Sequence, residues 1–423
     1  MALYYLLLFV TPFHNDPRLG KVLVDLGGGA VVTPVKILGL SAVAAGLLAP
    51  ALKHPVPRLQ TPLPLFFILF AVIPVACTLT FYLSTPGWYV SQLVSAALLF
   101  IATRRLVRTR ERMYKVMRTL VLAFAFGSLW VYKQHILDRA INSTGLEGEP
   151  NYEALMLLLS IPMGFCMWRY EEASRWRWLG LGCALLLVGA IPLTNSRGGV
   201  IAAGAVGLLA TMRARRKWMG LLSLALAAFL LFNYGPPALS QKFHSIKFTG
   251  EAENGDEGSS RIHVELLKAG LRMMEHHPIF GIGLEQFKAQ EVAYNPEILQ
   301  LSRGSLLAHD TFVQIGAESG IPVLVLFLAM IGIALRNFGK TYQTSDPRLI
   351  AMGRAMQLGL IGICVAATSI TVELLPFFLL IFLSPNFREV AQDALLVQRS
   401  KPRPSAEIET TNPASMSLAA NEA

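Results

Sequence analysis

Apolar residues are gathered along this chain into about twelve runs separated by short polar stretches. Most runs last about 17–22 residues, the length that an α-helix needs to cross the hydrocarbon core of a bilayer. The first and last runs are short, so ten or eleven spanning helices also fit the pattern. The runs lie at about 2–13, 33–52, 63–83, 88–103, 117–137, 152–168, 176–193, 199–212, 218–234, 320–336, 355–371 and 374–385.

Composition supports a membrane protein. Hydrophobic residues make up 53% of the 423 residues and charged residues 15%, whereas soluble domains carry about 25% charged residues. The sequence therefore predicts an all-α polytopic membrane protein with about twelve transmembrane helices. Its N-terminal run lacks a basic leader and a small-residue cleavage site, which favours a first helix over a removed signal.

The positive residues predict the orientation. With the N-terminus inside, the inside loops and the tail hold 24 Lys and Arg residues, and the short outside loops hold 5. Positive residues are enriched in cytoplasmic loops, so both termini are expected in the cytoplasm. The net charge of +10 then reflects Lys and Arg residues that face anionic lipid headgroups, and no nucleic-acid partner is expected.

One polar interval is much longer than the others. Residues 235–319 are expected to form a large extracytoplasmic loop within a transmembrane domain of residues 1–385. Residues 386–423 are rich in Ser, Thr, Asn and Glu and are expected to form a disordered cytoplasmic tail.

The loop contains a predicted amphipathic helix over about 261–276, with Ser259 and Ser260 as possible N-caps. Its apolar positions repeat with helical spacing, which predicts a helix that lies at the membrane surface or against the bundle. The apolar face comprises Ile262, Leu266, Ala269 and Met273.

Three polar side chains are candidates for chemistry. Arg197 follows a helix end and precedes two glycines, so it fits a phosphate clamp or an interfacial arginine that reaches the headgroups. Arg261 fits a second clamp or an exposed residue in the first turn of the amphipathic helix. His309, followed by Asp310, fits a general base or a solvated histidine at a helix cap.

Several patterns are absent from the sequence. It has no P-loop, no Rossmann glycine pattern, no His-Glu-x-x-His and no close Asp-x-Asp pair. Its four cysteines lie in apolar runs without close partners, so neither a disulfide framework nor a metal site is indicated. No cofactor is expected, and an outside enzyme would need a substrate that is already activated.

Short motifs around these candidates resemble the O-antigen ligase and polymerase superfamily of bacterial envelope polysaccharide assembly. Each motif is weak alone, but their order and spacing are fairly specific. The motifs are EPN at 149–151, TNSRGG at 194–199, SR at 260–261, HPIFGIG at 277–283, AHDTF at 308–312 and ESGIP at 318–322.

The resemblance implies a metal-independent, inverting glycosyltransferase of the bacterial inner membrane with its active site facing the periplasm. The donor would be a glycan on undecaprenyl pyrophosphate, and the acceptor a hydroxyl of a glycan, lipid or protein. By position, Arg197 and Arg261 would bind the pyrophosphate, His309 would activate the acceptor, and Arg139 is a weaker fourth candidate.

Three further residues would support these. Ser196 and Gly198 flank Arg197 in its motif, and Asp310 stands where the family commonly has Asn. A carboxylate at that position is expected to raise the basicity of a hydrogen-bonded His309.

Other functions remain open. A repeat-unit polymerase differs only in using another lipid-linked repeat as acceptor, and no residue decides between the two. A transporter or flippase also fits about twelve helices, but the predicted helix interiors are nearly free of charge and the long loop does not divide the chain in half. A structural scaffold would leave the arginines and His309 unexplained.

Overall fold

The fold is a bundle of helices with one helical insertion. A computed structural model describes residues 1–10, 24–25, 31–32, 34–48, 61–83, 86–140, 144, 149–214, 216–237, 239–240, 255–301, 306–371 and 374–400. A two-residue antiparallel pair joins Val24–Asp25 to Val31–Val32. The helices are α1 Ala2–Val10, α2 Pro34–Leu48, α3 Leu63–Cys77, α4 Gly87–Leu106, α5 Arg110–Ile136, α6 Pro150–Tyr170, α7 Ser174–Leu193, α8 Arg197–Met212, α9 Lys217–Tyr234, α10 Gly255–His276, α11 Phe287–Tyr294, α12 Ile298–Leu301, α13 Thr311–Ser319, α14 Ile321–Gly339, α15 Pro347–Ala366 and α16 Leu375–Ser400.

Every predicted apolar run overlaps one of these helices, but fewer than twelve of the helices reach the spanning length. Among the described residues, six helices are long and apolar enough to cross a membrane, which makes the chain a membrane protein. The count of twelve therefore stays a prediction. The six are α3 with the π-helical turn that follows it, α5, α7, α9, α14 with the 3-10 turn that follows it, and α15.

Aromatic packing joins α3, α14 and α16 at the centre of the bundle. Phe67 meets Phe382 edge to face at 5.0 Å between ring centroids, and Phe70 stacks on Phe327 at 5.5 Å. Phe327 also meets Phe377 at 5.2 Å. Such aromatic pairs contribute beyond their buried area, so they hold α14 and α16 in fixed positions.

Small residues join α6 to α7. A Cβ at Gly180 would lie 2.5 Å from the Met167 Cβ and 3.0 Å from the Gly164 carbonyl oxygen. Close backbone approach of this kind is the usual way for membrane helices to pack. It fixes α6, whose first turn contributes to the candidate site.

Four of the ion pairs lie at one end of the bundle. Each pair includes at least one residue at or near a helix end, where charges can still reach water. The α5 and α15 helices begin at this end, and α6 ends there. The starts of α6 and α8 and the end of α15 therefore lie at the opposite end. The pairs are Arg104–Glu389, Arg110–Asp346, Arg118–Glu171 and Arg348–Glu172.

The insertion between α9 and α14 has its own apolar core. The predicted apolar face of α10 is confirmed, because Ile262, Leu266, Ala269 and Met273 are all buried. They pack with residues of the following turns and helices, including Ile282, Phe287 and Ala317.

The start and the polar face of α10 differ from expectation. The helix begins at Gly255, so the predicted caps Ser259 and Ser260 lie inside it. Its polar face is partly covered: the Glu265 carboxylate accepts from Lys268 and Asn295 at 2.8 Å each. Residues 248–260 are Gly-rich and acidic, a composition that favours a mobile stretch. Residues 255–260 nevertheless form the start of α10, and residues 248–254 lie outside the described part of the chain.

The last helix is longer than its apolar run. Pro385 lies inside α16, which continues to Ser400, so the predicted tail boundary at 386 falls within a helix. Phe387 and Ala391 are buried and extend the apolar face beyond the proline. Residues 401–423 of the predicted tail lie outside the described residues.

A buried polar network explains why the helix continues. The Asn386 amide donates to the carbonyl oxygens of Thr103 and Val107 and accepts from Arg104 at 2.8 Å. Arg104 also pairs with Glu389 at 2.6 Å. These bonds cap the end of α4, so α16 gains partners one turn beyond its apolar stretch.

We expect Asn386→Ala to lower the free energy of unfolding by about 1–3 kcal/mol, because it leaves buried carbonyl groups and Arg104 short of partners. Chemical denaturation of the purified protein in micelles measures this. Asp393→Ala, at an exposed position of the same helix, is the control and should change stability little. Equal stability of the two variants would contradict the structural role of the network.

Candidate functional site

The start of α8 is held by a hydrogen-bonded cap. The Ser196 hydroxyl accepts from the Gly199 N–H at 3.0 Å and donates to the Asn151 side-chain oxygen at 2.6 Å. Asn195, just before it, adopts a left-handed conformation with φ 54°. Arg197 is therefore the first residue of a fixed helix and lies half-buried beside the start of α6.

The acidic-Pro-Asn turn forms the other half of this cap. The Glu149 carboxylate accepts from the Tyr152 N–H at 2.6 Å and from the Asn151 amide at 2.9 Å. Burial raises the pKa of Glu149, against the opposing effect of these bonds. The turn thus orients Asn151 towards Ser196, a role that the short motif alone did not reveal.

The geometry at the start of α8 favours the binding of an anion. The first N–H groups of a helix have no partners within the helix, and the helix dipole adds partial positive charge there. Phosphate groups bind at such ends, and the Arg197 guanidinium adds a full charge and a planar set of donors.

His309 stands just before α13. It adopts a left-handed conformation with φ 51°, and the next residue caps the helix: the Asp310 carboxylate accepts from the N–H groups of Phe312 and Val313 at 2.8 and 3.0 Å.

This cap corrects the expected effect of Asp310. The Asp310 carboxylate is directed to the helix. Burial lowers the pKa of His309, whereas a higher basicity was expected. Burial also raises the pKa of Asp310. Asn and Asp are both good N-caps, so the departure from the family pattern preserves the cap.

A second histidine, His263 of α10, faces His309. Their ring centroids are 4.5 Å apart and their planes are inclined by 30°. Burial, together with smaller effects of the charges of His309 and Arg197, lowers the pKa of His263 to about 4. Arg197, His263 and His309 are thus brought together, and both imidazoles are neutral at neutral pH.

The turn at 367–371, after α15, connects the bundle to the insertion. The Thr311 N–H donates to the Ala367 carbonyl at 2.9 Å, and the Thr311 hydroxyl donates to the Ile370 carbonyl at 2.8 Å. On the other side, a Cβ at Gly198 would lie only 2.0 Å from the Ser369 hydroxyl oxygen. The same turn therefore contacts both the Arg197 and the His309 segments.

Arg261 and Arg139 are placed differently. Arg261 is exposed, and because residues two apart on a helix point to different sides, it does not share the side of His263. Its charge acts instead on Glu265. Arg139 is exposed beyond the end of α5, next to the Lys133–Asp138 pair.

Sequence reasoning missed His263 and the turn at 367–371. The only sequence signal for His263 is its position on the amphipathic helix, two residues after Arg261. The composition of the turn does not distinguish it from other turns. In the part of the chain that the structure describes, no three His, Cys, Asp or Glu side chains could share a metal ion. The expectation of no metal stays a prediction.

The arrangement offers two chemical functions within one site. Neutral imidazoles can accept a proton, and the guanidinium at a helix start can stabilise an anionic leaving group. A reaction that takes a proton from one oxygen and places negative charge on another would use both.

Comparison with known proteins bears on this site. No curated protein matches the chain. Residues 181–328 match the family model described as O-Antigen ligase. This segment contains Arg197, His263 and His309, and the match confirms that the chain is related to the O-antigen ligase superfamily.

Proposed function

We propose that this protein transfers a glycan from undecaprenyl pyrophosphate to an acceptor hydroxyl. The observation that carries the proposal is the grouping of Arg197, at the start of α8, with the stacked His263 and His309. The family match agrees with an activity of the O-antigen ligase or polymerase type.

In the proposed reaction, the acceptor oxygen bonds to the anomeric carbon as the bond from that carbon to the pyrophosphate oxygen breaks. His309 takes the proton of the acceptor hydroxyl. The electron pair of the broken bond leaves on undecaprenyl pyrophosphate, where Arg197 and the α8 N-terminus stabilise the charge. A single displacement inverts the anomeric centre, and His309 afterwards returns its proton to water.

The remaining candidates have secondary roles. His263 packs against His309 and fixes its ring, which makes it a positioning residue. The exposed guanidinium of Arg261 would meet the outer phosphate or the lipid headgroups, and Arg139 would guide the anionic donor from the rim.

We further propose that the ion-paired end of the bundle faces the cytoplasm of a bacterial inner membrane. Its Lys and Arg residues suit anionic headgroups and the positive-inside rule. The site would then face the periplasm, where lipid-linked glycans are transferred without nucleotide or metal.

The central prediction concerns Arg197 and His309. We expect Arg197→Ala and His309→Ala each to lower the rate of glycan transfer by at least about 100-fold, because each removes a group that acts in the transition state. Arg197→Lys should recover part of the rate, since it keeps the charge but loses the planar fork. Initial rates in proteoliposomes, with donor isolated from a strain lacking the protein, measure the effect.

Exposed residues of the same types provide the controls. His277→Ala and Arg175→Ala change exposed positions and should leave the rate within about twofold of wild type. A full rate for the His309→Ala variant would refute the proposed mechanism. The acceptor that gains glycan in the same assay distinguishes ligation from polymerisation.

The rate should depend on pH through His309. Burial lowers the pKa of His309. Its neutral base form therefore persists below pH 6.5, which is the ordinary pKa of a histidine side chain. We expect kcat/KM to be constant near neutral pH and to fall on acidification, with a midpoint below 6.5. An acid limb centred at or above 6.5 would show that His309 is not the base.

Gly198 tests the contact with the turn at 367–371. We expect Gly198→Ala to lower transfer by about tenfold or more, because its Cβ would overlap the Ser369 hydroxyl and displace Arg197 from its position. Ser369→Gly removes the overlapping atoms and should restore much of the rate in the double variant. Ser369→Gly alone is the control, and failure of the double variant to recover would contradict the contact as the cause.

A further inference from the structure

A cavity of about 410 Å³ lies on another side of α13. Small-molecule sites commonly enclose roughly 300–1,000 Å³. Its walls are the start of α4, the turn before α11, one face of α13 and the start of α16. The face of α13 consists of Thr311, Gln314, Ile315 and Glu318, at helical spacing.

The cavity adjoins the candidate site but is not part of it. Thr311 lines it and also holds the turn at 367–371, two residues after His309. Thr371 lines it from the same turn. None of Arg197, His263 and His309 lines it, so the proposed reaction leaves it unused.

Two polar groups in its wall have no hydrogen-bond partner among the described residues. They are the hydroxyl of Tyr89, a residue that is only 7% exposed, and the hydroxyl of Thr371. An unpaired buried hydroxyl destabilises the folded protein, because it has given up its hydrogen bonds to water. Both residues line the cavity, so a ligand there could satisfy both groups.

The other polar groups in the wall are also suited to a neutral, hydroxyl-rich ligand. The Glu318 carboxylate already accepts from the Phe287 N–H at 3.1 Å and from Gln314 at 2.6 Å. Burial raises the pKa of Glu318 to about 7, so its carboxyl can donate as well as accept. Gln92 adds an amide that can do both.

Trp88 provides an apolar surface at the edge. Its side chain is 44% exposed and borders the cavity. A flat aromatic face can pack against the C–H face of a sugar ring while polar groups bind the ring hydroxyls. The carboxyl groups of Glu285 and Glu318 face a single ammonium group, that of Lys288, so the wall offers no excess positive charge to a pyrophosphate. An acyl chain would leave the hydroxyls of Tyr89 and Thr371 without a partner.

We propose that this cavity binds a sugar ring of the substrates, with the hydroxyls of Tyr89 and Thr371 as ligands and Trp88 as the stacking face. This inference rests on the proposed transferase function and identifies a second site for it. The ring belongs either to the transferred glycan or to the acceptor, and the same wall chemistry serves both.

The test uses variants that remove only a hydroxyl. Tyr89→Phe and Thr371→Val keep the shape of the side chain and remove a hydroxyl that has no partner in the part of the chain that the structure describes, so the melting temperature should be unchanged or higher. We expect each to raise KM by about 5–10-fold for one substrate, with a smaller change in kcat, and Trp88→Ala to raise it at least as much. Trp178→Ala, at another exposed tryptophan, is the matched control.

The substrate whose KM rises identifies the source of the ring. Varying the lipid-linked donor at fixed acceptor, and then the acceptor at fixed donor, separates the two. Unchanged KM values for both substrates in Tyr89→Phe, Thr371→Val and Trp88→Ala would overturn the proposal. A lowered melting temperature with unchanged KM values would overturn it as well, because it indicates a purely structural role.

Failure of the transferase function is distinguishable from failure of this site. If the wild-type protein transfers no glycan, thermal shift with a panel of methyl glycosides, in a detergent without sugar, decides the matter. Stabilisation of wild type that is reduced in Tyr89→Phe and Trp88→Ala supports the cavity as a sugar site. No stabilisation, or equal stabilisation of all three proteins, refutes it.

Discussion

Thr311 makes two hydrogen bonds that join the insertion to the bundle. Its N–H and its hydroxyl donate to the carbonyls of Ala367 and Ile370, in the turn after α15. Ser369 of the same turn lies against Gly198, where a Cβ would overlap the Ser369 hydroxyl oxygen. The positions of His309 and Arg197 therefore depend on one short segment, although the two residues are more than a hundred positions apart. A site built at such a junction is complete only when the insertion is docked.

The far end of α13 is fixed in a similar way. The Ile282 N–H donates to the Ala317 carbonyl at 2.9 Å, and the Ile321 N–H to the Pro278 carbonyl at 2.8 Å. Gly320 has φ +87° there, and its missing Cβ leaves room for the Ile279 carbonyl. The α13 helix is thus held at both ends, so it can position His309 at its start and the cavity wall along its length without relying on the apolar contacts of α10 alone.

Local patterns predicted the parts of this fold that depend on local physics. Apolar runs located the helices, and helical spacing located the buried face of α10, because burial follows periodicity. The pairing of His263 with His309 and the docking of Thr311 arise from tertiary contacts that leave no periodic signal. Asp310 shows the same limit, because its role as an N-cap can be predicted only when the start of α13 at the next residue is known. Pro385 favoured a helix end, but the distant partners Thr103 and Arg104 outweighed it.

The charges of the site suit the proposed step, which creates a cation and an anion together. Burial lowers the pKa of both His263 and His309 and so favours their neutral forms, and in the proposed reaction the positive charge that meets the phosphate is that of Arg197. An imidazolium already present would compete for the phosphate and could not accept a proton. In the proposed transfer, negative charge develops on the leaving pyrophosphate when His309 takes the acceptor proton. Attraction between the two charges would then offset the desolvation that lowers the pKa of His309. The burial that keeps His309 neutral at rest is therefore compatible with its protonation during transfer, provided that donor and acceptor are bound at the same time.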